Sequence, residues 1–140
     1  MKVFLSHASE SKPRVRALAA NFPPHVEVWL DVNELTTGER LPDNIAHAIE
    51  AECDYVIVFV DRFALEREWV PREVAWSLKR EADLKRTFLL PVLLEPIADG
   101  LRRLGDLGSE RIYLDATDDS PEGTRRAGDR LCGELFALSS

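Results

Sequence analysis

Tyr55-Val56-Ile57-Val58-Phe59-Val60 is an uninterrupted apolar run near the middle of the chain. It is far too short to cross a bilayer, and its length is that of a β-strand. Similar short runs lie at residues 2–5, 26–30, 88–94 and 111–114, and longer segments with helical spacing separate them. This alternation predicts a single α/β domain over residues 1–140, with five strands in a mainly parallel sheet and helices on both of its faces.

Apolar residues recur at helical spacing in the segments between the strands. The first predicted helix follows residues 9–13, the second begins near Pro42, the third carries Trp69 and Glu73, and the last covers residues 121–138. Pro91 stands inside the predicted fourth strand, which indicates a bulge or an edge position because proline cannot donate a sheet hydrogen bond. On the first helix, the residues expected on the buried face are Val15, Leu18, Ala19 and Phe22. On the third helix, the apolar stripe opposite Trp69 and Glu73 is formed by Val70, Val74 and Leu78.

Composition limits the classes of function. The chain has 140 residues, 45% of them hydrophobic, which suits one globular domain with a single core. Its formal charge of −7 argues against general binding to nucleic acids or anionic membranes. Cys53 and Cys132 are far apart, and the three histidines lack metal-binding spacing. We therefore expect no disulfide, no metal site and a reducing, cytoplasmic location.

Polar residues follow the predicted strands at the ends where open parallel sheets bind ligands. Ser6 and His7 follow the first strand, Asp31 follows the second, and residues 61–63 follow the third. Glu73 lies near the start of the helix after the third strand, which places it at the same edge. This edge of the sheet is the predicted site.

Trp69 and Glu73 are four residues apart, so a helix places the indole and the carboxylate on one face. Pro71 is tolerated only in the first turn of a helix, so the helix is expected to begin near Trp69. There the helix dipole favours the ionised form of Glu73, which suits an anion that stabilises developing positive charge. The alternatives are a first-turn acid that merely supports its helix, and core packing for Trp69 and Trp76.

Several segments, taken in order, form a specific set: Val3-Phe4-Leu5-Ser6-His7-Ala8-Ser9, Val28-Trp29-Leu30-Asp31, Glu34-Leu35-Thr36-Thr37-Gly38-Glu39-Arg40-Leu41, Ile45-Ala46-His47-Ala48-Ile49 and Trp69-Val70-Pro71-Arg72-Glu73. This set resembles the TIR (Toll/interleukin-1 receptor) family. The resemblance covers essentially the whole chain and implies a single flavodoxin-like TIR domain. It is closer to bacterial TIR proteins than to animal receptors, because residues 31–41 lack the pattern of animal signalling loops.

The resemblance implies an NAD⁺-consuming enzyme, since many TIR domains cleave the nicotinamide–ribose bond with the glutamate of a W-x-x-x-E helix motif. The matching catalytic residue is Glu73, and Trp69 is expected beside the reacting ribose and nicotinamide. Ser6 and His7 would line the pocket, and Asp31 would bind ribose or orient the loop of residues 31–41 above it. NAD⁺ is then a substrate rather than a cofactor. Hydrolysis gives ADP-ribose, and cyclisation gives a cyclic ADP-ribose.

Other interpretations remain open at this stage. His7 is equally suited to a local hydrogen bond, and Asp31 to a turn or cap. The resemblance also implies self-association through TIR–TIR contacts, a separate effector that reads the nucleotide product, and a role in prokaryotic antiphage or cell-death signalling. The alternative functions are a non-catalytic TIR–TIR adaptor, in which Glu73 is structural, and a bacterial effector that mimics host TIR domains.

Overall fold

The computed structural model describes residues 1–30, 53–66, 69–97 and 113–138, and the side chains of residues 29–30 and 69–73 lie outside that description. Strands and helices alternate along the chain as the sequence predicts. The strands are β1 (Lys2–Ser6), β2 (Glu27–Leu30), β3 (Tyr55–Val60), β4 (Leu89–Leu93) and β5 (Leu114–Asp115). The helices are α1 (Lys12–Ala19), α2 (Arg62–Leu65), α3 (Trp69–Leu84) and α4 (Pro121–Leu138), and a 3₁₀-helix (Ser9–Ser11) precedes α1.

The five strands form one sheet in the order β2-β1-β3-β4-β5. Each neighbouring pair is parallel, so the sheet is parallel throughout. This is the strand order of flavodoxin-like folds, in which the direction of winding reverses between β1 and β3. The predicted α/β class is confirmed, and the carboxyl ends of all the strands lie at one edge.

Strand β3 shows how both faces of the sheet are covered. Its side chains alternate between the faces, and all of them are buried. On one face, Val56 and Val58 pack in a cluster with Ala64 of α2 and Val74 of α3. The cluster on the opposite face combines β3 with α1 and α4, through Tyr55, Ile57, Phe59, Val15, Leu18, Ala127, Leu131 and Leu135. Helices therefore cover both faces, as predicted.

Of the two helices next to the predicted site, α3 begins where the sequence indicates, whereas α1 begins at Lys12, inside the segment of residues 9–13 that was expected to precede it. Pro13 lies in the first turn of α1, whose buried residues are Val15 and Leu18. Helix α3 begins at Trp69, so Pro71 falls in its first turn, where a missing N–H costs nothing. At its other end, the amide of Lys85 donates to the Glu81 carbonyl oxygen at 2.8 Å. Lys85 has a φ of 56°, the left-handed conformation that commonly terminates a helix.

Pro91 lies in an interior strand without a bulge, because β4 pairs with β3 at five consecutive positions. The carbonyl oxygen of Leu93 accepts a hydrogen bond from the backbone N–H of Ala116, so Leu93 faces β5. Pro91 lies two residues earlier in the same strand, so its nitrogen faces the same side of β4. The described pairing with β5 begins only after Pro91, at the next residue. The bulge and the edge-strand interpretations are therefore both wrong, and the proline is tolerated because its nitrogen faces a part of this side where no described pair is formed.

Other predicted features differ from the structure or lie outside its description. Trp76 is 36% exposed, with the Lys79 ammonium 5.4 Å from its ring centroid, so core packing is wrong for this tryptophan. The last strand lies at the end of the predicted run, at Leu114–Asp115. The predicted helix from Pro42 and the loop of residues 31–41 lie outside the described residues. None of the described helices has the length and apolar composition needed to cross a bilayer.

Candidate functional site

Two fully buried polar residues lie where β1 ends: Ser6 is the last residue of the strand, and His7 is the first residue of the loop that follows it. Ser6 is paired in register with Val58, so it lies where β1 and β3 meet and the winding of the sheet reverses. The Nδ1 atom of His7 is 3.0 Å from the Leu5 carbonyl oxygen. A carbonyl oxygen can only accept, so Nδ1 carries the hydrogen, and Nε2 is an acceptor in the neutral ring. This local hydrogen bond of His7 was the alternative to ligand binding, and it is present.

A buried carboxylate, Asp61, follows β3 at the same edge. Its Oδ1 atom accepts from the backbone N–H of Ala64 at 2.8 Å and so caps the N-terminus of α2. Its Oδ2 atom accepts a hydrogen bond from the hydroxyl of Ser11, which is also buried. Asp61 therefore connects the end of β3 with the start of α1.

Helix α3 starts at this edge and carries the predicted catalytic residue. Trp69 and Glu73 lie in its first two turns, four residues apart, so the backbone places them on one face of the helix. Their side chains lie outside the description, as does the whole of Asp31. The structure thus brings Ser6 and His7 to the same edge as the start of α3, and it leaves the contacts of Glu73 a prediction.

A cavity of about 380 Å³ lies at the ends of β3, β4 and β5, on the side of the edge nearest α1. Arg14 of α1 forms part of its wall and donates to the Leu94 carbonyl oxygen at 2.6 Å and to the Ala116 carbonyl oxygen. These two bonds tie α1 to the ends of β4 and β5. The cavity's lining combines carboxylates with guanidinium groups and includes Glu10, Asp61, Arg62, Phe63, Glu95, Thr117 and Asp119.

The loops around this cavity are held by their own hydrogen bonds. The backbone N–H of Arg62 donates to Glu95 at 2.9 Å, and the Arg62 guanidinium lies 4.9 Å from the Phe63 ring centroid. Thr117 donates to Asp115 from its hydroxyl at 2.7 Å and from its backbone N–H at 2.9 Å. These two bonds hold the pKa of the Asp115 carboxyl below its ordinary value. Among the described residues, no group of three or more potential ligands is arranged to hold a metal ion.

Two residues that build this edge, Ser11 and Arg14, were not predicted to lie there, and Asp61 was placed at the edge by its position after β3 without being assigned a role. Asp61 carries a recognisable local signal, because an aspartate directly after a strand and three residues before a helical N–H is a typical cap. Arg14 carries none, because its acceptors are backbone carbonyls from distant parts of the chain.

Comparison with known proteins identifies the family. A family model described as TIR domain matches residues 3–132. The TIR domains in the structure of the activated Roq1 resistosome, which directly recognizes the pathogen effector XopQ, are similar with a TM-score of 0.69 and 14% identity, over 96% of this chain and 99% of that chain. The TIR domain of the Toll-related receptor TRR-2 from Hydra magnipapillata has a TM-score of 0.65 and 19% identity, over 96% of this chain and 94% of that chain.

No curated protein matches the sequence. At these identities the two solved structures establish the fold alone, and the family model carries the assignment. Because that model spans nearly the whole length of the sequence, the chain belongs to the TIR domain family.

Proposed function

We propose that this protein is an NAD⁺-consuming enzyme that cleaves the nicotinamide–ribose bond, with Glu73 as its catalytic residue. The observation that supports the proposal is the start of α3 at Trp69, because in a TIR domain whose helix begins there the backbone positions of Trp69 and Glu73 share one helical face, close to the carboxyl ends of the strands. Within the family resemblance, this is the position of the W-x-x-x-E glutamate.

The chemistry of this bond suits a single carboxylate. Most glycosidases need one carboxyl group to protonate the leaving group and another to stabilise or attack the sugar carbon. Nicotinamide leaves a pyridinium as a neutral molecule and needs no proton. The ionised Glu73 side chain would stabilise the positive charge that develops on the ribose, and would accept hydrogen bonds from the ribose hydroxyls.

The remaining predicted residues take supporting roles in this proposal. Trp69 would pack beside the ribose and nicotinamide, and Asp31 would bind ribose or orient the loop that it begins. Ser6 and His7 are fully buried, so they would form the floor of the pocket, and a substrate could contact them only after the groups above them move.

The product and its use follow from the same proposal. Attack by water on the ribosyl carbon gives ADP-ribose, whereas attack by an atom of the ADP-ribosyl group itself gives a cyclic product. We further propose a cytoplasmic protein of prokaryotic antiphage or cell-death signalling, which self-associates through TIR–TIR contacts and whose product is read by a separate effector. Support for self-association comes from family membership, and the relative in the Roq1 resistosome is a TIR domain within an assembly.

The test is incubation of the purified protein with NAD⁺ at several protein concentrations, with and without a crowding agent, followed by chromatography and mass spectrometry. We expect nicotinamide release that rises more than linearly with protein concentration. Glu73→Ala should reduce this release by about a thousandfold or more, on the scale of losing a principal catalytic group. The ratio of ADP-ribose to a cyclised product then distinguishes hydrolase from cyclase.

A matched control lies on the same helix. Asp83 is an exposed acid near the end of α3, and Asp83→Ala should keep wild-type turnover. Circular dichroism must show that Glu73→Ala is folded. Absence of turnover in wild-type oligomers would reject the enzyme and favour the non-catalytic adaptor. Equal turnover in wild type and Glu73→Ala would reject the catalytic assignment of Glu73.

A further inference from the structure

Two separate segments of the chain build the ligand-binding edge beside the β1–β3 boundary. The first is the loop after β1, which follows Ser6, contains His7 and ends in the 3₁₀-helix Ser9–Ser11. The second is α2, which directly follows β3 and precedes the helix that carries Glu73. A substrate held by both segments can react only if their relative position is correct.

One buried carboxylate connects these segments. Asp61 is 4% exposed, and its two oxygens have different partners: Oδ1 accepts from Ala64 N–H at the start of α2, and Oδ2 accepts from the Ser11 hydroxyl. Ser11 is itself 8% exposed, and its backbone N–H donates to the Ala8 carbonyl oxygen at 3.0 Å. A continuous chain of hydrogen bonds therefore runs from α2 through Asp61 and Ser11 to the residue that follows His7.

We propose that Asp61 is a positioning residue that holds the loop after β1 and the α2 segment in one fixed relation, and so aligns the two halves of the site. The inference about catalysis rests on the proposed NAD⁺ cleavage. The alignment itself does not, because the bonds that produce it exist without substrate. Both members of the Ser11–Asp61 pair are buried and both line the cavity, so a water molecule that replaced the Ser11 hydroxyl could satisfy the carboxylate but would not tie the loop to α2.

The structure allows the two functions of Asp61 to be separated. Ser11→Ala removes the connection between the segments and leaves the cap on α2. Asp61→Ala removes both. Asp61→Asn retains both, because its amide oxygen can accept from Ala64 and its amide nitrogen can donate to the Ser11 hydroxyl. Ser9→Ala is the matched control, since Ser9 belongs to the same 3₁₀-helix and, among the described residues, its hydroxyl donates to the neighbouring Glu10, at 3.0 Å, and not to Asp61.

The first measurement is kcat and KM for NAD⁺ in these four variants. Misplacement by about 1 Å can cost up to about a hundredfold in rate, so we expect Ser11→Ala to lower kcat by about tenfold to a hundredfold with a change in KM below about threefold. Asp61→Asn and Ser9→Ala should remain within about threefold of wild type. If folded Ser11→Ala turns over NAD⁺ as fast as Ser9→Ala, the positioning role is wrong.

The second measurement, hydrogen–deuterium exchange without substrate, separates this inference from the proposed function. In Ser11→Ala, amides of residues 7–11 should exchange faster while the Ala64 amide stays protected. In Asp61→Ala both regions should exchange faster, and in Asp61→Asn neither should. If the wild-type protein releases no nicotinamide, this exchange pattern would still establish the alignment. If residues 7–11 exchange in both Ser11→Ala and Asp61→Ala as slowly as they do in the wild-type protein, the alignment is overturned.

Discussion

Removal of the Glu81 carboxylate should release the far end of the helix that carries Glu73. Glu81 lies in the last turn of α3, and its Oε2 atom accepts from the backbone N–H groups of Phe88 at 3.0 Å and Leu89 at 2.9 Å. These two amides lie where the chain enters β4. The carboxylate therefore fixes the end of α3 to the start of the strand.

The cost of Glu81→Ala follows from what the two amides lose. Hydrogen bonds to charged groups contribute about 1.5–3 kcal/mol each. Glu81 is half-buried, so water can partly replace the lost acceptor and the lower end of that range applies. We expect the free energy of unfolding to fall by about 2–3 kcal/mol. With an unfolding entropy of about 2.1 cal/mol/K per residue, this corresponds to a decrease in Tm of roughly 7–10 °C for a chain of 140 residues.

Thermal unfolding and urea titration would measure this change, with two variants for comparison. Glu81→Gln retains an oxygen that can accept from both amides and loses only the charge, so it should lower the free energy of unfolding by about 1 kcal/mol. Asp83→Ala removes an exposed acid from the same helix and should change stability by less than about 0.5 kcal/mol. If Glu81→Ala lowers the free energy of unfolding no more than Asp83→Ala does, the Glu81 carboxylate does not hold α3 against β4.

Two further predictions concern α4 and its cysteine. A Cβ at Gly133 would contact nothing within 4 Å, whereas one at Gly128 would lie 3.1 Å from a backbone carbonyl oxygen of α1. Gly133→Ala should therefore gain about 0.8–1 kcal/mol from helix propensity, and urea titration should find Gly128→Ala less stable than Gly133→Ala by at least about 1 kcal/mol. Burial raises the pKa of the Cys132 thiol, and the nearby Asp129 carboxylate raises it further. The rate at which iodoacetamide alkylates Cys132, measured by mass spectrometry, should therefore reach half its maximum at a higher pH than the rate for free cysteine. Asp129→Asn should shift that profile back towards lower pH, and a wild-type profile at or below that of free cysteine would contradict the assignment.

The sequence predicts those parts of the fold that depend on the period of apolar residues. The six residues of β3, the start of α3 and the bounds of α4 follow from runs and helical spacing, and the structure reproduces them. Pro91 misleads because the single-sequence rule for prolines in strands does not know where the neighbouring strand begins. Trp76 misleads because spacing alone does not show which stripe of a helix faces the sheet.

The candidate site is predictable only where a residue type is tied to a local position. Ser6 and His7 were located by the rule that ligands bind after strands, without any indication that both are fully buried. The Ser11–Asp61 bond joins residues 50 positions apart, and its formation depends on β1 and β3 being neighbours. Such a pair leaves no trace in local spacing, because either residue alone is also an ordinary cap or turn residue.

Apolar packing explains why α3 lies on the sheet, but it does not fix the position of the helix along its own axis. Burial of residues such as Val74 is favourable in many positions along the helix axis, since the hydrophobic effect has no direction. Directional bonds to carboxylates supply what packing lacks. Asp61 holds the α2 segment before the start of α3, and Glu81 holds the end of α3 against β4. The segment before α3 and the end of α3 are each held by such bonds, and the proposed role of Glu73, a single carboxylate without a second acid, would require that its helix keep a fixed position along its axis.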